Sequence, residues 1–202
     1  MYTIYIIMLE LRKKYKSGSA AEIIRDAILS SEISGEIGQK EFAENLGVSR
    51  IPVREALITL QYHGLIEKMS NQHVRIIFLD DVAIRDLFSD MSLLEIETVK
   101  TMTPEKLQHL LSLSQTEFHS EIYMNTHSPL RRSFLRIITE TYITFVIEHS
   151  EGLKVNAVFE NLKHSLYDMN ILREVYAEYA EALASELIRI QTENRRNNHA
   201  EP

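Results

Sequence analysis

The chain has 202 residues, 45% of them hydrophobic, with 22 Lys/Arg against 29 Asp/Glu and no cysteine. That length suggests one or two domains, and that balance suits a folded chain and not a disordered one. The missing cysteine excludes disulfides, thiolate catalysis and cysteine-bound zinc.

The opening stretch, MYTIYIIMLELRKKYKSGS, holds an apolar run too short to span a bilayer, and its basic cluster (Arg12, Lys13, Lys14, Lys16) follows that run. A secretory signal carries its positive charges first. Residues 1–19 therefore read as an amphipathic arm, or as a start placed too early with Met8 the alternative. The expectation is a soluble, cytoplasmic protein with no membrane partner. Charge is uneven along the chain. Residues 1–79 hold ten Lys/Arg and nine Asp/Glu, and the remainder twelve and twenty. A near-neutral first part and an acidic second part point to two domains with different partners.

SAAEIIRDAILSSEI, from Ser19, places Ile23/Ala27 and Ile24/Ile28 four residues apart, which predicts an amphipathic helix ending near Gly35. QKEFAENL predicts a short second helix with Phe42, Ala43 and Leu46 on one face, closed by Gly47. Ser49 suits an N-cap, and Pro52 falls in the first turn of a third helix, where its missing N–H costs nothing. Val53, Ala56, Leu57 and Leu60 form that helix's apolar stripe, and Gly64 stops it after Tyr62 or His63. Two short helices about a glycine turn make a helix-turn-helix, whose second helix lies in the DNA major groove with its N-terminal residues at the base edges. Those residues are Ser49, Arg50, Ile51 and Arg54. Arg50 and Arg54 are an i, i+4 pair on a face away from the stripe, and a guanidinium can bridge guanine O6 and N7 or clamp a phosphate. LIEKM, SNQH and VRIIFL then read as a β-hairpin wing, from which Lys68, Asn71, Gln72, His73 and Arg75 can reach phosphates or the minor groove. From the residues alone, a DNA-binding winged helix and an interaction-only winged helix both stand.

LGVSRIPVREALITLQYHGLIEK closely resembles the DNA-binding domain of the GntR family of bacterial transcription regulators. The likeness begins near Ala20 and runs to about Leu79. It implies that Lys40, Ser49, Arg50, Ile51, Pro52 and Arg54 face DNA, and that Ser70 and Asn71 touch the minor groove. Two positions depart from the family pattern. The usual PPG turn is ISG, with Gly38 where a serine N-cap is common, and His73 replaces the glycine of the wing.

Residues 80–192 read as an all-helical bundle of five or six helices. Ile84, Leu87, Phe88, Met91 and Leu94 recur at helical spacing, with the junction at Leu79–Asp81. TPEKLQHLLSLSQTEFHSEIYM opens at a Thr103 cap with Pro104 first, and SPLRRSFLRIITETYITFVIEHSEG repeats the device with Ser128 and Pro129, stopping at Gly152. The last helix starts at Asn170, and residues 193–202 read as a flexible tail. The fold class expected is mainly α: a winged helix-turn-helix with a small hairpin wing, then a helical effector-binding and dimerisation domain.

TEFHSEI, THSPLRRSFLRII and ENLKHSLYDMNILREVYAEYAEALASEL resemble the FCD (FadR C-terminal domain) branch of the same family, in a shortened form. Many members of that branch hold a divalent metal through one aspartate and three histidines. Carried over, those positions are Gln115, His119, His164 and Glu186, for zinc, manganese or nickel. Separately, Gln115 and His119 are i, i+4 neighbours whose tips can converge, and two imidazoles with a carboxylate suit such ions. The competing reading is that His119 and His164 are hydrogen-bonded core histidines. His109, His127 and His149 fit no ligand pattern. No nucleophile elbow, acid–base pair or phosphate loop points to an enzyme. The expected function is a homodimeric regulator reading a double-stranded operator and sensing a small molecule, a carboxylate or other metabolite. The alternatives are a constitutive DNA-binding dimer or a non-catalytic interaction module.

Overall fold

The computed structural model describes residues 19–70, 73–150 and 153–199. The expected N-terminal arm, Asn71, Gln72 and Gly152 lie outside them. The chain divides into two compact units. One holds the described residues up to Phe78 together with those from Gln191 onward, and the other spans Leu79–Ile190.

In the first unit, helix α1 (Ala20–Leu29) opens on a capping box. Ser19 Oγ accepts from Glu22 N at 3.3 Å, and Glu22 Oε2 accepts from Ser19 N at 2.6 Å. Two first-turn donors are thereby satisfied. Ser19→Ala is expected to cost about 1 kcal/mol, read as a lower urea midpoint at unchanged slope. Ile24, Ala27 and Ile28 are buried, as their spacing requires. The helix ends earlier than the sequence reading has it. Ser31 turns into the left-handed region (φ 59°), and the Glu32 and Ile33 N–H groups both return to Ala27 O.

Strand β1 (Glu36–Gly38) follows, then α2 (Gln39–Leu46), α3 (Arg50–Tyr62), β2 (Ile66–Lys68) and β3 (His73–Ile76). The strands form one antiparallel sheet in the order β1-β3-β2, with Ile37 opposite Val74 and Glu67 opposite Arg75. The wing hairpin is thus present, and β1 is an addition to it. Sequence reading takes the segment around Gly35 and Gly38 for a turn. Three residues are too few to show a strand period, and their hydrogen-bonding partner lies more than thirty residues away. Gly47 closes α2 at φ 62°, and Val48 N–H returns to Ala43 O. Val53, Ala56, Leu57 and Leu60 of α3 are buried, as are Ile24, Phe42, Leu65 and Val74 of the same unit. Each large side chain there contributes about 1.5–3 kcal/mol, which fixes the rotation of α3 and so decides which residues face out.

The second unit holds α4 (Asp81–Val99), α5 (Pro104–Leu110), α6 (Gln115–Asn125), α7 (Pro129–Ile137), a π-helical stretch (Ile138–Ile143), α8 (Thr144–His149), α9 (Leu153–Ser165) and most of α10 (Met169–His199). Two segments that read as continuous helices are broken. Ser114 starts α6 afresh with a second capping box, its N–H donating to Glu117 Oε2 at 3.0 Å. The π stretch widens at Thr144, whose Oγ1 donates to Thr139 O at 2.9 Å. Phe88, Phe118, Ile122, Phe145, Leu162, Tyr176 and Leu183 lie in this unit's buried core. No described helix is long and apolar enough to cross a membrane.

The expected tail from residue 193 is corrected: α10 stays helical through His199. Its last turns are held within the first unit. Asn194 Nδ2 donates to Ser30 O at 3.2 Å, and Arg195 donates to Ser31 Oγ at 3.3 Å. The Arg195 guanidinium also lies 4.3 Å from the centre of the Phe78 ring. Anchored side chains keep a polar segment helical where composition alone suggests fraying.

Candidate nucleic-acid interface

The interface is built on the first turn of α3. Ser49 is the N-cap by backbone geometry (φ −70°, ψ 165°), yet its hydroxyl makes no cap hydrogen bond. Pro52 supplies no N–H. The helix therefore begins with an exposed hydroxyl and with backbone donors that no side chain caps, a setting that favours an anion. Arg50 and Arg54 are both exposed. Neither makes a hydrogen bond or ion pair among the described residues. Ile51 beside them is 70% exposed. The core stripe on the far side of α3 holds this face outward.

The neighbouring cations differ in their freedom. Lys40 is exposed on α2 and lies 3.4 Å from Glu44. Arg75 on β3 is flanked by Glu36 at 3.0 Å and Glu67 at 3.5 Å, one carboxylate from each neighbouring strand. Exposed pairs of this kind contribute about 0–1 kcal/mol, but they neutralise a cation that the sequence reading sends to phosphate. Lys68, by contrast, is exposed and has no such partner among the described residues. Ser70 is exposed in the turn of the wing.

Gly38 and His73, the two departures from the family pattern, face each other. They are directly paired between β1 and β3. A Cβ at position 38 would sit 3.4 Å from His73 Nε2. A side chain there would meet the imidazole in ordinary van der Waals contact. That the two departures are cross-strand neighbours is invisible to a reading that does not know β1 exists.

The helical unit holds a different arrangement from the expected metal tetrad. Gln115 and His119 do converge, one turn apart on α6, but on the hydroxyl of Tyr179. Gln115 Nε2 donates to Tyr179 Oη at 2.6 Å, and His119 Nε2 lies 2.8 Å from the same oxygen. His119 Nδ1 lies 2.8 Å from Glu95 Oε1. One assignment satisfies every group: the phenol O–H donates to His119 Nε2, and Nδ1–H donates to Glu95. Glu95, His119 and Tyr179 are wholly buried. Burial pushes the Tyr179 phenol well above its ordinary range, and burial reinforced by the Glu95 carboxylate does the same to Tyr176. The Tyr176 hydroxyl faces this same Glu95 carboxylate.

His164 and Glu186 take no part. His164 is exposed on α9, its Nδ1–H donating to Glu160 O at 2.6 Å. Glu186 pairs with Arg189 at 2.7 Å. The four residues therefore do not fit a divalent ion. Both nitrogens of the one buried histidine are taken, and the other two expected ligands point to partners of their own. Sequence reading missed Glu95, although a signal was there: Glu95 continues the Ile84, Phe88, Met91 spacing, so a carboxylate falls on a core stripe.

Residues 16–76 match the family model for bacterial regulatory proteins, gntR family. Among curated proteins, none matches the chain. Among solved structures, the chain is similar to Lar, described as controlling expression of the Listeria monocytogenes agr system and mediating virulence. That likeness has 16% identity and a TM-score of 0.55, over 84% of this chain and 95% of Lar. It is also similar to E. coli McbR/YncC, with 17% identity and a TM-score of 0.52, over 91% of this chain and 97% of that one. At such identities the likeness is one of fold.

Proposed function

We propose, from the match of residues 16–76 to the gntR-family model, that the chain is a DNA-binding transcription regulator of that family and reads a pseudo-palindromic operator as a homodimer. Each copy lays the first turn of α3 in the major groove of one half-site. Arg50 and Arg54 contact guanine edges or phosphates, Ser49 and the uncapped backbone donors hold a phosphate, and Ile51 packs on a thymine methyl. Lys40 and the wing around Ser70 and Asn71 track the backbone. The observation that carries this reading is the exposed, unpartnered guanidinium pair at an uncapped helix start.

Counterion release gives the test. Anisotropy titrations of a labelled duplex at rising KCl are expected to show log K falling linearly with log salt, with a slope of about −0.9 for each phosphate neutralised. A slope near zero contradicts the proposal and supports the interaction-only module.

The helical unit dimerises in this scheme and responds to a carboxylate metabolite by population shift. A second reading, a constitutive dimer without effector or metal, is favoured by one observation: Gln115 and His119 close on Tyr179 and not on an open polar cavity. Thermal shift with zinc, manganese, nickel and succinate separates the two. Stabilisation by succinate supports sensing, and no rise in Tm with any of them supports the constitutive dimer.

A further inference from the structure

Beyond its first turn, α3 carries a second outward-facing apolar residue. Val53, Ala56, Leu57 and Leu60 are buried on one side of the helix. At about 100° per residue, Ile51 and Ile58 fall on the opposite side, 70% and 58% exposed. Arg54 and Glu55 lie between them, and both are exposed. The four residues stand at i, i+3, i+4 and i+7, the spacing at which a recognition helix reads the major groove. A single exposed apolar side chain is ordinary on a protein surface. Ile58 is not a stray of that kind, because it continues the line that Ile51 and Arg54 begin.

Length decides how much of that line enters the groove. Ile58 lies about 10.5 Å beyond Ile51 at the helical rise of 1.5 Å per residue, within a groove about 12 Å wide. Chemistry decides what the line touches. The Glu55 carboxylate has no hydrogen bond or ion pair among the described residues. Laid on phosphates it would be repelled, whereas among base edges it accepts from cytosine N4. A carboxylate in the middle of the line therefore suits the groove floor and not the backbone. Isoleucine has no donor and no acceptor, and the apolar group that a base edge presents in the major groove is the thymine methyl.

We propose that Ile58 is a specificity-determining residue that packs on a thymine methyl in each half-site. The distance from Ile51 to Ile58 exceeds the rise of about 3.4 Å per base step, so the two side chains read different base pairs. The proposal rests on the DNA-reading assignment above and extends base readout from the first turn of α3 into its third.

Replacement of thymine by deoxyuridine deletes one methyl and keeps every base-pair hydrogen bond. Applied one thymine at a time to the duplex selected by the full-length wild type, and read by anisotropy, it tests the proposal. Wild type is expected to lose affinity about fourfold at each of two positions in a half-site, the value of one buried methyl-sized group. Ile58→Ala is expected to lose the response at one of them and keep it at the other. Ile58→Val, which keeps a branched methyl, is expected to respond at both. Because Ile58 is exposed, both variants are expected to hold the wild-type Tm. A wild type that selects no duplex overturns the DNA-reading assignment and this proposal with it. A selected duplex whose deoxyuridine responses are the same for wild type and Ile58→Ala leaves that assignment standing and overturns the role of Ile58.

Discussion

Arg54→Ala is expected to lower affinity for a bound duplex by about 1–3 kcal/mol, or roughly five- to 150-fold, with no change in Tm. The reason lies in what the side chain touches and what it does not. It is exposed, has no carboxylate or carbonyl partner among the described residues, and packs no core. Its removal therefore leaves the domain's stability alone and deletes only contacts to DNA. Arg50→Ala is expected to act on the same scale, and the double variant to bring binding close to the sequence-independent level. The salt slope separates two roles within the pair. A guanidinium on a phosphate takes about one unit of slope with it when removed, whereas one on guanine relaxes preference at a single base step and leaves the slope in place. Lys40→Ala is expected to cost less, because Glu44 already shares its charge.

His119→Ala is expected to produce the largest loss of stability, about 3–5 kcal/mol, seen as a lower denaturant midpoint of the helical unit. The loss comes less from the missing ring than from what it leaves behind. Glu95 is wholly buried, and its carboxylate loses its hydrogen-bond donor. Glu95→Leu with His119→Leu is expected to recover much of the loss, because replacing both members of a buried pair with apolar groups removes the stranded charge. Tyr179→Phe removes only the shared hydroxyl and leaves Gln115 and His119 each one partner short, for a cost of about 1–3 kcal/mol. If His119 held an ion in solution, chelator would lower the wild-type midpoint and the His119→Ala midpoint would ignore it. The hydrogen-bonded chain predicts no chelator effect in either.

The divide between what could be read in advance and what could not follows the range of the interactions. Val53, Ala56, Leu57 and Leu60 announce α3 because helical spacing is local, and the same spacing places Arg50 and Arg54 on the opposite face. Gly47 and the hairpin around residues 65–79 are legible for the same reason. β1 is not, because Ile37 becomes a strand residue only by pairing with Val74. The relation of Gly38 to His73 depends on that pairing and is hidden with it. In the helical unit the i, i+4 rule brings Gln115 and His119 together as expected, but their target comes from elsewhere. Tyr179 and Glu95 sit on two other helices, and no local pattern reports which helix packs against which. Residues 193–199 show the same limit. Their composition is that of a loose end, and their order comes from Ser30, Ser31 and Phe78 at the other end of the sequence.

Selection of bound sequences from random duplexes, run in parallel on wild type and Arg54→Ala, is the most direct measurement. A dimer presenting two α3 N-termini is predicted to enrich an inverted repeat whose half-site centres lie one helical turn, about 10 bp, or a multiple of it, apart. The variant is predicted to lose preference at one matched base step in each half, or to bind the same repeat more weakly throughout. No enriched motif with wild type, or an identical motif bound equally tightly by the variant, would contradict the assignment of this face to DNA.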